Sequence, residues 1–343
     1  MSRYGSRDLI KRDSKENLKY GQNMRDTYPM GDLFVDFSDR DHANKEVGRF
    51  MAALFGSNEI SPSRDEYGMY LAKTASLRSS DLSRQIGAAI FTDKSEILSL
   101  GSNEVPKAGG GTYWPDSATD ARDFQIGFDP NELNRNEIFA ELINLMFEDG
   151  LLSGELISLG DTFKIIENLF DASRSDRYKD ARVMDIIEFG RIIHAEMLAI
   201  CDAARNGTSI RDSTMYVTTF PCHICAKHIV ASGIKRVVYL EPYPKSYAHQ
   251  LHSDAIQIDD HTDDSKVHFE PFFGISPYRY RDLFEKGKRK GEGGEALKWK
   301  MEPRRPVIDS VVPSYIDAEN YVVSQLGSLV IQAEREDPNS GLV

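Results

Sequence analysis

The sequence predicts an α/β protein built on a mixed sheet, and three observations carry that prediction. Two apolar, β-prone runs, 86–91 and 96–100, flank Thr92, Asp93, Lys94 and Ser95, which is hairpin chemistry. From His194 to Glu241 helical and strand patterns alternate, the signature of parallel strands joined by helices. At 343 residues the chain is long enough to bury a substantial core.

The elements run in order. Residues 1–45 mix charges with Gly, Asn, Tyr and Pro around short apolar runs such as Leu33, Phe34 and Val35, and read as an arm or linker. Ser61 and Pro62 supply a helix start, and Tyr67, Leu71, Thr74, Ala75 and Leu77 keep helical spacing to about Ser79. The hairpin comes next. Residues 104–191 form a largely helical insertion, with Ile138, Leu142, Leu145 and Met146 and then Ile165, Ile166, Leu169 and Phe170 at helical spacing. The alternating part then reads as a helix over 194–206, a strand over 215–220, a helix over 222–232 and a strand over 235–241. The core thus spans 62–250. Residues 251–343 form an extension expected to pack on it, carrying the basic, Gly-rich run 286–294 and a helix over 318–334.

Composition narrows the function. Lys and Arg number 42 against 54 Asp and Glu, for a net charge of −12, so the chain as a whole repels polyanions, and stable DNA binding is not expected. Three cysteines are too few for a disulfide framework and fit a reducing, cytoplasmic setting. No apolar window is long enough for a membrane span, and the first twenty residues lack a signal-like apolar region.

Two short segments carry chemistry: His194-Ala195-Glu196 and Pro221-Cys222-His223-Ile224-Cys225. One nitrogen and two sulfurs suit Zn²⁺, and three protein ligands leave a fourth tetrahedral position open, as catalysis needs. Cys222 and Cys225 fall in the first turn of an expected helix, where free N–H groups and the helix dipole favour thiolate. Glu196 is then placed to move protons. Two plainer readings compete: a thioredoxin-like redox pair at Cys222 and Cys225, or a closed structural zinc site completed by His223 or His228. Cys201 reads as a buried small apolar group on the first of these helices.

The pairing of H-x-E with P-C-x-x-C is the signature of zinc nucleobase deaminases, and the chain resembles the cytidine and deoxycytidylate deaminase superfamily beyond it. Arg84 to Ile90 resembles that family's first strand, Leu100 to Lys107 its sugar-contacting loop, Met215 to Cys222 and Gly233 to Leu240 its later strands. Ala226-Lys227-His228-Ile229 after the second motif is similar to the deoxycytidylate type. The insertion, Tyr239 to Ser246 and Val267 to Pro277 resemble bacterial anti-phage deaminases of dCTP and dCMP. The resemblance implies a three-layer α/β/α cytidine-deaminase-like fold with a mixed five-stranded sheet, Zn²⁺ on His194, Cys222 and Cys225, Glu196 as proton carrier, and a deoxycytidine nucleotide as substrate. It also implies a homo-oligomer and, in some relatives, an inhibitory RNA.

By the same resemblance Asn103 would bond the deoxyribose hydroxyl; a turn residue after a strand is the plainer reading. Lys107 and Lys245 follow strand ends expected to open toward the metal and are candidate phosphate contacts, with Arg279 and Arg281 as helpers. Tyr113 and Trp114 are candidates for the base pocket or for core packing. The anti-phage relatives usually carry an N-terminal P-loop domain; no G-x-x-x-x-G-K-[ST] occurs here, and the arm is expected to be the segment C-terminal to such a domain. Two other functions share the residues: a deaminase of single-stranded nucleic acid, and a zinc-stabilised interaction module without turnover.

Overall fold

A computed structural model of the protein describes residues 13, 23–169, 181–259, 262–300, 303–308 and 315–336. A six-stranded sheet in the order β3-β2-β4-β5-β7-β6 organises the molecule, formed by β2 (Gly87–Phe91), β3 (Ile97–Ser102), β4 (Thr214–Thr219), β5 (Arg236–Glu241), β6 (Ile256–Ile258) and β7 (Val267–Pro271). The hairpin β2–β3 and the pair β2–β4 are antiparallel, and the pairs β4–β5, β5–β7 and β7–β6 are parallel. The mixed sheet therefore matches expectation, with six strands where five were expected. The sheet also runs past residue 250, because Ile256 and Phe269 extend the same buried cluster. Three residues of β6 are too few to show a period of two in sequence.

Alternation along each strand builds two cores. Ala88, Ile90, Met215, Val217, Val237 and Tyr239 face one way, onto Ala195 and Ala199 of α5 (Ala195–Arg205) and Ala226 and Ile229 of α6 (His223–Ser232). Ala89, Phe91, Tyr216, Val238 and Leu240 face the other way, onto Met69 and Ala72 of α2 (Arg64–Ser76). The result is the three-layer arrangement.

Two glycines set the spacing of those layers. A Cβ on Gly87 would lie 2.0 Å from the Ala72 carbonyl oxygen, and one on Gly101 2.1 Å from the Ala195 carbonyl oxygen. Only glycine lets α2 and α5 lie so close to the hairpin. Since α5 begins at His194, Gly101 also fixes the height of that helix start over the sheet.

α2 starts two residues later than Ser61 and Pro62 suggest, because its capping box is Ser63 with Glu66. Glu66 is fully buried and also accepts from Arg49 of α1 (Arg40–Leu54) and from the Ile275 backbone N–H. Leu33–Phe34 (β1), expected within a linker, pairs antiparallel with Gly274–Ile275 (β8), and Phe34 packs edge-on against Phe272. A two-residue strand paired over that distance leaves no local signal.

The insertion contains α3 (Pro130–Glu148), capped by Asp129, and α4 (Thr162–Leu169), joined through a small core of Ile143, Ile165 and Leu169. Phe170, expected to continue that pattern, lies outside the described residues. Backbone bonds between Glu104 and Ile193 close the insertion's two ends together. Beyond the sheet, Trp299 bridges to Ser57, and α7 (Tyr315–Glu336) shows Tyr315, Ile316, Tyr321, Val323 and Leu326 exposed. No helix among the described residues is long and apolar enough to cross a membrane.

Candidate metal centre and pocket

β4 and β5 are parallel, so the loops leaving their C-terminal ends share one edge of the sheet, where ligands of open α/β sheets collect. His194 is the N-cap of α5 and Cys222 the N-cap of α6, with Cys225 in the first turn. The two helix starts meet. His194 Nδ1 lies 3.3 Å from the sulfurs of both Cys222 and Cys225, and the three donor atoms all fall within 4.8 Å of one another. Ligands of a tetrahedral zinc with ordinary bond lengths sit about 3.5 Å apart for a nitrogen and a sulfur, so the donor set fits that ion.

The cluster comprises three residues among those described. His223 points toward Glu188, with Nε2 4.0 Å from its carboxylate, and His228 Nδ1 bonds the Ile224 carbonyl at 2.7 Å. Neither supplies the fourth ligand that a closed structural site requires.

The charges are tuned by this crowding. A hydrogen bond from the Cys225 thiol, with the help of His194 and against burial, brings the Cys222 thiol down to about 4. Burial pushes Cys225 well above the usual thiol range, and the neighbouring Cys222 adds to it. His194 rises to about 9, burial being outweighed by the Cys222 hydrogen bond and charge. A divalent cation here would take the place of the His194 and Cys225 protons. Glu196, buried in the first turn of α5, is pushed up to about 7 by burial and then by the Cys222 charge.

Beside the cluster lies a cavity of about 200 Å³ lined by Ile192, His194, Asn103, Asp81, Arg84, Ile86 and, from the insertion, Asp123, Asp129, Asn131, Ile187 and Gly190. Larger hollows lie along α2 and beneath the β2–β3 turn, but no metal-donor cluster among the described residues opens onto them. Chemistry, rather than size, picks out the site.

The other residues singled out in sequence scatter. Asn103 reaches the cavity as a buried brace: its Nδ2 donates to Asp81 at 2.9 Å and to the Arg84 carbonyl at 2.7 Å, and its Oδ1 accepts from the Ile86 N–H at 2.7 Å. Lys107 sits on an exposed turn closed by its N–H to the Gly111 carbonyl, outside the cavity lining. Lys245 Nζ pairs with Asp185 of the insertion at 2.6 Å. Arg279 and Arg281 belong to the opposite side of the sheet: they pair with Asp32 and Glu285, and Tyr280 between them stacks on Tyr70 of α2. Trp114 is 51% exposed beneath the Arg78 guanidinium, and Tyr113 lends that guanidinium its carbonyl, so neither lines the pocket. Cys201, expected to be buried, is exposed on α5.

Sequence reasoning does not single out Arg84, Asp81 or Asp185. Arg84 is legible only as the residue before a strand; in the fold it lines the cavity and pairs with Glu241 at 2.7 Å. Asp185 carries no local signal, since its role depends on a partner 60 residues away.

Comparison with known proteins agrees with this arrangement. A deoxycytidylate deaminase of Enterobacteria phage T2 is 61% identical over 54 residues, 16% of this chain and 29% of that protein. The mouse deoxycytidylate deaminase is 24% identical over 175 residues, 51% of this chain and 63% of that protein. The chain thus spans less than a third of the length of the phage relative. A crystal structure of dCMP deaminase from the cyanophage S-TIM5 in complex with dCMP and dUMP aligns with 62% of this chain and 100% of that one, at 17% identity and a TM-score of 0.33. The family model described as the cytidine and deoxycytidylate deaminase zinc-binding region matches residues 62–241, just over half of the chain. The resemblance read from the two motifs is therefore borne out, and the chain belongs to the cytidine and deoxycytidylate deaminase zinc-binding family.

Proposed function

We propose that the protein is a zinc-dependent hydrolytic deaminase of free deoxycytidine nucleotides, dCMP and dCTP, giving the deoxyuridine nucleotide and ammonia. The observation that carries the reading is the set of three donors, His194, Cys222 and Cys225, with Glu196 buried beside it. Bound there, Zn²⁺ would supply the Lewis acidity that makes hydroxide available near neutral pH. Glu196, with its carboxyl held near 7, accepts the proton of the attacking water and delivers it to N3 of the ring as oxygen adds to C4. Glu196 then takes the proton of the new C4 hydroxyl and passes it to the exocyclic nitrogen, so that the C4 carbonyl forms, the C4–N4 bond breaks and ammonia leaves.

The cavity is sized for a base rather than a whole nucleotide, so sugar and phosphate lie at its rim. The second lone pair of Asn103 Oδ1 can accept from the deoxyribose hydroxyl, since both its N–H groups are already committed. Lys245 is the cation nearest in sequence to the β5 loop that borders the site, and we assign it to the phosphate. Lys107 lies on an exposed turn outside the cavity lining, and we assign it to the outer phosphates of a dCTP. The net charge of −12 supports a mononucleotide over a long nucleic acid. The resemblance to anti-phage deaminases supports a role in depleting deoxycytidine nucleotides during infection, in the cytoplasm and as a homo-oligomer.

Mass-resolved product analysis with dCMP, dCTP, CMP and a cytosine-containing single-stranded oligonucleotide tests the reading. The deoxynucleotides are converted and the oligonucleotide is not; the reverse pattern overturns it. Glu196→Ala keeps its zinc while turnover falls by roughly a hundred- to ten-thousandfold. Unchanged turnover would remove Glu196 from the chemistry.

A further inference from the structure

Resting on the reading of this site as a nucleotide deaminase, we propose that Asp185 stands in for the substrate's phosphate at Lys245, so that the insertion competes for the cation that reads the substrate's anionic end. The placement comes from three contacts. Lys245 Nζ lies 2.6 Å from Asp185 Oδ1. The next residue, Ser246, donates from Oγ to the Pro221 carbonyl at 2.7 Å, which ties the Lys245 loop to the residue before Cys222. Tyr243, two residues earlier, feels both ends of the pair and the metal cluster: burial raises its hydroxyl, the negative charges of Cys222 and Asp185 add to that, and Lys245 and Arg84 oppose it. Both ends of the pair thus act on the same phenol as the Cys222 sulfur, on the side of the sheet where the metal donors lie.

The carboxylate comes from the insertion and the ammonium from the core. Asp185 ends the short helical turn Arg182–Asp185, and the chain runs directly from it through Ile187, Gly190 and Ile192 of the cavity wall to His194. The pair is only partly buried, with Lys245 47% and Asp185 22% exposed, so it is weak and exchangeable. A phosphate monoester carries nearly two charges and three strong acceptor oxygens, and displaces a single carboxylate. A neutral nucleoside has nothing to offer Lys245. Arg84, which lines the cavity, pairs with Glu241 of β5 and does not report on the insertion.

Steady-state kinetics with dCMP and deoxycytidine on the full chain and on Asp185→Asn, Lys245→Met and the double variant test this. Asp185→Asn lowers KM for dCMP by about two- to fivefold, with kcat unmoved and with kcat/KM for deoxycytidine unmoved. Lys245→Met raises KM for dCMP on the order of tenfold, and Asp185→Asn then changes nothing further. An unchanged or higher KM for dCMP in Asp185→Asn, the same gain without Lys245, or an equal shift for deoxycytidine overturns the proposal. If the wild-type chain converts no nucleotide, the functional reading fails by itself. Calorimetric dCMP binding to the same variants then decides the inference: tighter binding in Asp185→Asn upholds it and equal binding overturns it.

Discussion

His194 and Cys222 are N-caps of helices laid on the sheet, whereas Lys107 and Lys245 hang from turns, one exposed and one held by a carboxylate of the insertion. The donors converge because β3 and β4 both run antiparallel to β2 and so finish at the same end of the sheet; the Glu104–Ile193 bridge returns the chain to the end of β3 just before His194, and Cys222 follows β4. Nothing comparable fixes the lysines. The contrast teaches where a sequence motif is sufficient: it locates side chains whose direction is set by the backbone within a turn, and it loses those whose direction is set by a distant partner.

The largest effect belongs to the rigid half of this comparison. Cys222→Ser removes a sulfur that sits 3.3 Å from His194 Nδ1 and caps α6. Serine caps a helix as well as cysteine does, so the fold should persist. Zinc content measured by atomic emission should drop, and deamination should fall by at least about a thousandfold. A Cys222→Ser protein that stays fully loaded and active would break the comparison at its strong end.

Legibility in the sequence follows the same division. The starts of α5 and α6, the hairpin and the two motifs lie within a residue or two of where local pattern places them. β1 and β8 are two residues long and pair across most of the chain, and the edge strand β6 has only three residues, so no local period marks any of them. Arg279 and Arg281 read as helpers of the phosphate contacts, yet the helical turn Tyr280–Phe284 lies on the α2 face, where Tyr280 stacks on Tyr70. Trp114 reads as base pocket or core because a large aromatic usually buries; Arg78 covers its face instead. Cys201 reads as a core residue, but α5 turns its outward side to solvent at that position.

Asn103 stands between the two classes, a residue of the proposed substrate set held as firmly as a metal donor. Asn103→Ala leaves the half-buried Ile86 N–H without its side-chain acceptor and frees Asp81 of its amide partner. The loss should cost about 1–3 kcal/mol in a denaturant titration. If Oδ1 also accepts from the sugar, KM for dCMP rises in the surviving folded protein. A lower melting temperature with an unchanged KM would leave Asn103 as a brace alone, and would sharpen the line between scaffold and substrate contact.

The smallest effect comes from a charge cluster that uses the same residue types as Lys245 and Asp185 but lies at the other end of β5. Asp65 of α2 accepts two bonds from Arg236, both at 2.8 Å, and one from the Tyr216 hydroxyl at 2.7 Å, and Arg236 also holds Glu270. Burial alone would raise the Asp65 carboxyl, but the bonds from Arg236 and Tyr216 outweigh it and leave it below the ordinary carboxylate range. A carboxyl lowered in the folded state stabilises the fold fully above its unfolded pKa, and that contribution is lost as pH falls through the lowered folded value. Asp65→Asn should therefore melt below the wild type near neutrality, and the two melting temperatures should converge on acidification. Asp185→Asn, removing a carboxylate from a pair that joins insertion to core at the rim, should leave the melting temperature within error at every pH. A constant gap for Asp65→Asn would sever its stability from its ionisation. A pH-dependent gap for Asp185→Asn would make the Lys245 pair scaffold like Arg236, and the two clusters would no longer differ in kind.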